Sequence, residues 1–374
     1  MSTNPRHILV LTDRDWTHPQ GGGTGTVLYG LVAQWLATGH RVTVIAGSYP
    51  GADAIERPAP NLVIHRMGTR LTVFARAAWA TLRGIGRDAD VVLEVCNGIA
   101  FNTPFWPWLR KPRLLLVFHV HQSHYELELG TLGVVSAFLL ERLPLTLFYA
   151  RTPVVTISEN SRAALIELGI AASRIRVTYL GLDRGVLSPG SKSEEPSLVY
   201  LGRLKQYKRV ELILAMVASL PGVRLEVAGA GEHHQALVDK AAALGISERV
   251  TFHGHVTEEQ KAELLRRAWL AVNASSAEGW SLAVVEAGAS GTPTAALAVG
   301  GLQEAIQPGI TGLLADSPLQ LTEMVSDLLN DRVRLEEMSA AAQARAETFT
   351  WEATANDVLS AFPQARPPKR PGPC

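Results

Sequence analysis

The sequence predicts an α/β protein built as two doubly wound, Rossmann-like domains facing across a cleft. Three observations carry that expectation. Short, apolar, β-branched runs alternate with helical patterns from end to end. At 374 residues the chain exceeds what one hydrophobic core usually serves. The alternation also stops once, at 188–196, and then restarts.

In the first half the strands are expected at 8–12, 42–46, 62–65, 91–95, 114–118, 154–157 and 175–179. Helical spacing lies between them at 26–38, 72–86, 132–150 and 161–168. Strands that are apolar on both faces and separated by helices imply a parallel sheet covered on both sides. Residues 1–187 therefore form the first domain. The run 188–196, rich in Ser, Pro, Gly and Glu, is an interdomain linker by composition. Strands at 198–201, 225–228, 250–252, 270–272 and 293–296 then alternate with helices at 210–219, 233–244, 258–268, 281–289, 319–330 and 332–349. They make a second domain over 197–350. A helix over 351–362 is free to pack back on the first domain, and the Pro-rich end, 363–374, is a disordered tail.

Composition narrows the function. Thirty-five basic residues balance thirty-five acidic ones, which argues against a non-specific nucleic-acid binder. Cys96 and Cys374, the two cysteines, lie far apart in sequence and build neither a disulfide framework nor a metal site, so a reducing cytoplasm is expected. The longest apolar region, 129–150, is broken by Glu141, Arg142 and Pro144, short of a bilayer span. The mixed run Trp106-Pro107-Trp108-Leu109-Arg110-Lys111 leaves a peripheral membrane contact open, although a surface loop with a partly buried Trp is the favoured reading.

Four segments carry candidate chemistry, all placed where open α/β sheets bind ligands, after a strand's carboxyl end. Gly21-Gly22-Gly23-Thr24-Gly25 opens the first helix, where free amides meet an anion and glycine lets a ligand approach. It lacks the Gly-x-Gly-x-x-Gly spacing of a dinucleotide site. Gly202-Arg203-Leu204-Lys205-Gln206-Tyr207-Lys208 follows the second domain's first strand, and Arg203 with Lys208 suits a diphosphate. Glu278-Gly279-Trp280-Ser281-Leu282 runs into a helix carrying Glu286. Ser281 is the expected N-cap, the amides over Trp280–Ala283 suit a phosphate, and each carboxylate suits a pair of sugar hydroxyls. Finally, His119, His121 and His124 close a strand without the spacing of a zinc site, so one histidine lining the cleft is preferred over a metal. Ser158 is expected to cap the helix that follows it.

Taken in order, these segments resemble the group-one family of retaining glycosyltransferases with the GT-B fold, relatives of sucrose and glycogen synthases. The likeness spans nearly the whole chain: Gly21–Gly25, His119, Ser158-Glu159, Gly181-Leu182-Asp183, Gly202-Arg203 with Lys208, Glu278-x7-Glu286, the run from Ala287 to Pro293, and Gly300-Gly301-Leu302-Gln303-Glu304. The resemblance implies transfer of a sugar from a UDP- or GDP-linked donor to a hydroxyl acceptor, which is a lipid-linked saccharide, a metabolite or a natural product. It implies that Arg203 and Lys208 hold the diphosphate, that Glu286 binds the ribose, and that Glu278 with Gly279, Trp280, Ser281 and Leu282 contacts donor sugar and phosphates. Gly22 and Gly23 approach the phosphate, His119 (or His121, on a register shifted by two) lies beside the transferred sugar, and no metal or other cofactor is required. Front-face displacement with retained configuration is the implied mechanism. Two departures stand out: Leu180 where the family often has Asn before the Gly-x-Asp turn, and Trp280-Ser281 where an aromatic-Gly pair is common.

Overall fold

The computed structural model describes residues 4–118 and 138–363. They form two compact units, one holding the chain through Gly181 together with the segment from Trp351 onward, the other Leu182–Thr350.

The first unit is an eight-stranded sheet. Its strands are β1 (His7–Leu11), β2 (Arg41–Ala46), β3 (Ile55–Ala59), β4 (Leu62–Arg66), β5 (Val91–Cys96), β6 (Arg113–Val117), β7 (Val154–Thr156) and β8 (Ile175–Val177). The spatial order is β3-β4-β2-β1-β5-β6-β7-β8. Every neighbouring pair is parallel except β3 with β4. All residues of β1 and β5 are buried, as a central strand covered on both faces requires. Strand β3 was not expected from the sequence. It is half exposed, carries Pro58, and its register slips between Glu56 and Ala59, all tolerable only at a sheet edge.

Helices Gly22–Ala37, Val73–Leu82, Glu159–Leu168 and Trp351–Ala361 belong to this unit. Ser158 caps the third, its hydroxyl accepting the Ser161 N–H at 3.0 Å. The regular helix expected over 132–150 is replaced, in its described part, by wide π-type turns at Phe138–Arg142 and Pro144–Phe148, since Pro144 supplies no N–H to an α-helical ladder. The helix Trp351–Ala361 packs on Gly22–Ala37, and Trp35 donates its indole N–H to the Ala355 carbonyl at 3.3 Å.

The second unit is an all-parallel, six-stranded sheet. It comprises β9 (Ser197–Leu201), β10 (Arg224–Ala228), β11 (Val250–Gly254), β12 (Leu270–Asn273), β13 (Thr294–Leu297) and β14 (Gly312–Ala315). The order β11-β10-β9-β12-β13-β14 reverses direction between β9 and β12, and a crevice at such a switch is where this architecture binds ligands. Helices Val210–Ser219, His234–Ala243, Glu258–Arg267, Leu282–Ala289, Pro318–Asn330 and Arg332–Ala346 pack on it. Strand β14 and a short helix, Leu302–Ala305, lie in a stretch to which the sequence analysis assigns no element.

By its packing the first unit runs through Gly181, a few residues short of the expected 187. The stretch 188–196 is no free linker. Lys192 donates to the Gly291 carbonyl at 2.8 Å and to Thr292 Oγ1 at 2.6 Å, and the Ser193 carbonyl accepts the Trp269 indole N–H at 2.9 Å. Its Pro, Gly and Ser content signals missing periodicity, not missing contacts.

Candidate active site

The site is assembled at the carboxyl ends of β9 and β12. After β9 the chain turns at Gly202 (φ +156°), and the buried Tyr200 hydroxyl donates to the Arg203 carbonyl at 3.0 Å. Burial, then the Glu278 charge, pushes that phenol's pKa up, so it stays a donor. Two glycines after β10 back this turn. A Cβ on Gly229 would stand 1.9 Å from the Gly202 oxygen, and one on Gly231 2.2 Å from the Leu204 oxygen. Arg203 is exposed and makes no hydrogen bond or ion pair with another described side chain.

Lys208 ends the same loop and pairs with Glu278, both side chains only 13% exposed. The Glu278 oxygen that meets the ammonium also accepts Ser275 Oγ at 2.9 Å and Asn273 Nδ2 at 3.3 Å. The two loops are sewn together along their backbones. Arg209, held in the left-handed region at φ +49°, donates to the carbonyls of Ala274 and Ser275 at 2.8 and 3.1 Å, and Ser276 N–H donates to the Tyr207 carbonyl at 2.8 Å. A non-glycine residue in that region costs about 1–2 kcal/mol, here offset by its guanidinium bonds. Gly301 clamps the Glu278 turn. Its N–H donates to the Glu278 carbonyl at 2.7 Å, and a Cβ there would lie 2.4 Å from the Gly279 oxygen.

Trp280 is buried with its ring edge-on to Phe349, 5.3 Å between centroids. Ser281 occupies the position before helix Leu282–Ala289 with extended backbone, but its hydroxyl caps no amide, contrary to the sequence expectation. Among the described residues no side chain accepts from the amides of the first turn, as at anion-binding helix ends. One turn further on, Glu286 meets Lys261 of helix Glu258–Arg267 at 2.8 Å, and Lys261 also meets Glu258 at 2.7 Å. Burial alone lowers the Lys261 pKa, yet the two carboxylates outweigh it and leave the group raised and charged. Lys261 escaped the sequence analysis because a lysine on an amphipathic helix carries no signal. The run Gly229-Ala230-Gly231 after a strand did carry one and went unused, whereas Asn273 and Ser275 look like ordinary strand-end residues.

In the first unit, Gly22 (φ +51°) and Gly23 open helix Gly22–Ala37, and a Cβ on either would meet nothing within 4 Å. His119 and His121 lie outside the described residues. Among the described residues no cluster of three His, Cys, Asp or Glu side chains is arranged to hold a metal ion, and no helix is long and apolar enough to cross a membrane.

Two parallel α/β units with a basic-acidic loop pair at a strand-order reversal define a GT-B type protein. Residues 188–345 match the family described as glycosyl transferases group 1, and residues 21–185 match glycosyltransferase family 4. Between them the two matches take in most of the chain, a group 1 glycosyl transferase domain following a glycosyltransferase family 4 domain on the GT-B fold. D-inositol 3-phosphate glycosyltransferases of Mycobacterium tuberculosis and Mycobacterium bovis are 34% identical over 233 residues, 57% of this chain and 48% of theirs. The chain thus spans about half the length of the curated relatives it matches. Among solved structures, sucrose-phosphate synthase from Thermosynechococcus elongatus superposes with a TM-score of 0.80 at 20% identity, over 95% of this chain and 98% of that one. Anabaena HepE in complex with UDP and glucose gives 0.72 at 16%, over 95% and 98%. WaaG, a glycosyltransferase involved in lipopolysaccharide biosynthesis, gives 0.73 at 17%, over 96% and 100%.

Proposed function

We propose that the chain transfers a sugar from a nucleoside diphosphate sugar, UDP- or GDP-linked, to a hydroxyl acceptor with retention of anomeric configuration. The observation that carries this is the joining of Lys208 and Glu278 at the switch point, next to an uncapped helix end and to Glu286. A pyrophosphate suits that arrangement. Lys208 and the open Arg203 fork supply positive charge, and the N–H groups of Leu282 and Ala283 donate to a phosphate oxygen. Glu286 suits the ribose diol, and Glu278 with the backbone of Gly279, Trp280, Ser281 and Leu282 suits the sugar and its phosphate. HepE was solved in complex with UDP and with UDP-glucose, which favours a uridine donor here as well.

Gly23 adds an independent hint. Its backbone is ordinary and no described residue lies where its side chain would stand, so none of them explains the missing side chain, whereas an approaching phosphate does. The reaction proposed is front-face displacement. The bond from the anomeric carbon to the leaving phosphate oxygen breaks as the acceptor oxygen bonds to the same face. The acceptor's proton passes to the departing phosphate oxygen. The protein contributes placement and charge balance from Arg203 and Lys208, with His119 as the group beside the sugar; no metal or organic cofactor is needed for it.

The test is a panel of UDP- and GDP-hexoses incubated with the enzyme and sugar, polyol, lipid-linked saccharide or aglycone acceptors, with the anomeric coupling constant of the product read by NMR. Retained configuration in an acceptor-dependent product is expected. Free sugar released at the same rate without acceptor would make the protein a hydrolase, and an inverted product would remove the front-face step.

A further inference from the structure

The first unit carries an exposed aromatic and basic face that the transfer reaction does not use. Helix Val73–Leu82 leaves Ala75, Trp79 and Leu82 on one exposed stripe, spaced four and three residues apart, with Arg76 and Arg83 alongside. Trp79 is 56% and Leu82 50% exposed, and Leu71, just before the helix, is 72% exposed. The loop after β5 joins this face, because Trp108 donates its indole N–H to Thr81 Oγ1 at 3.1 Å. It brings exposed Trp108, Arg110 and the half-buried Lys111.

Charge is segregated here. The chain as a whole is neutral, yet residues 57–87 contain six arginines and no Asp or Glu, and residues 95–118 add Arg110, Lys111 and Arg113, again with no acid. Arg66 and Arg70 of the first stretch are paired with acids elsewhere in the sequence. Arg76, Arg83, Arg87, Arg110 and Lys111 pair with no carboxylate among the described residues. The nearest acids in sequence are already engaged: Asp88 with Arg41 and His7, and Asp90 with the His7 amide. The Arg83 guanidinium lies 4.5 Å over the Trp79 ring, so the aromatic and the charge present one surface.

We propose that this face seats the protein on an anionic lipid surface. An amphipathic helix with Trp and Leu on one stripe and arginines beside it is suited to lie in the headgroup plane. Indole rings favour the membrane interface, and each nearby cation adds attraction to acidic headgroups. A polyanion such as RNA would use the arginines but leave the exposed Leu71 and Leu82 unexplained.

The experiment is vesicle co-sedimentation of the full chain at about 0.1 M salt. Phosphatidylcholine vesicles are compared with vesicles containing about one-third phosphatidylglycerol, and a 20-nucleotide RNA serves as a third probe. Preferential binding to the acidic vesicles by roughly tenfold or more is expected. Trp79→Ser with Leu82→Ser, and separately Arg76→Glu with Arg83→Glu, each lower it at least tenfold while circular dichroism and Tm stay near wild type. Equal partition into both vesicle types, wild-type binding by either double variant, or binding to RNA without binding to vesicles would overturn the proposal.

Discussion

Lys261 Nζ stands 2.8 Å from Glu286 Oε1, joining two helices of the second unit through a pair whose side chains are only 12% and 16% exposed. The ammonium fixes the carboxylate's rotamer, and leaves its other oxygen free of any described side-chain partner. In the proposed function this carboxylate accepts the two hydroxyls of the donor's ribose. Lys261→Met is expected to raise the donor KM about tenfold with little change in kcat, in keeping with about 1.5–3 kcal/mol for a hydrogen bond to a charged group. The effect disappears with a 2′,3′-dideoxyribose donor, and Lys261→Arg restores part of it. An unchanged KM in Glu286→Gln as well would remove the ribose site itself. A change in Glu286→Gln but not in Lys261→Met would remove only the role of the lysine.

Lys208 and Glu278 form the second such pair, and it differs by lying between two loops rather than two helices. Removing one partner strands the other where water barely reaches, and such truncations commonly cost about 3–5 kcal/mol. Both Lys208→Met and Glu278→Gln are expected to lower transfer at least a hundredfold, while the double variant loses far less than the product of the two. Arg203→Ala removes no partner from any described side chain. It therefore reduces transfer with Tm unchanged, and a Tm drop of several degrees in Arg203→Ala would contradict its reading as an open, ligand-directed cation.

How much of this was legible beforehand depends on the kind of signal. Strands such as β1 and β12 announce themselves as unbroken apolar runs, and the Glu278-to-Glu286 interval sits where a strand gives way to a helix. Strand β3 hid because an edge strand with Pro58 needs neither alternation nor a full ladder. The packing of 188–196 hid because turn-forming residues bury their backbones as readily as they expose them. Lys261 hid for a third reason. Its meaning lies in a contact across 25 residues of chain with another helix, and no local pattern encodes such a contact. Ser281 shows the reverse error, a residue of capping type that leaves its helix uncapped.

Gly30 illustrates a constraint that periodicity does not reveal. In the middle of helix Gly22–Ala37 a glycine costs about 1 kcal/mol relative to alanine, yet a Cβ here would fall 2.3 Å from the Trp351 ring. The last helix thus seats its tryptophan directly on helix backbone. Gly30→Ala is expected to destabilise the protein by about 1–3 kcal/mol through overpacking, against the propensity gain. Gly30→Ala with Trp351→Leu recovers part of the loss. Urea denaturation checks both, and a more stable Gly30→Ala would show that the ring moves freely.

Lys192 makes a pH-dependent prediction whose sign follows from its surroundings. Its ammonium donates to the Gly291 carbonyl and to Thr292 Oγ1, both neutral, and no carboxylate among the described residues pairs with it. Burial pulls its pKa from 10.5 down to about 8. The unfolded chain therefore holds this proton more tightly than the folded chain between about pH 8 and 10.5. Stability rises with pH wherever the unfolded state binds more protons. The penalty for burying the charge is thus fully present below about pH 8 and fades as pH climbs toward 10.5. Lys192→Met lacks this titration but also lacks the two hydrogen bonds, a loss independent of pH. The Tm of wild type relative to Lys192→Met should accordingly climb across that window and stay level below it. A difference that is flat from pH 7 to 10.5 would mean the amine is solvated in the folded protein, and the segment 188–196 would then be the loose connection its composition suggests.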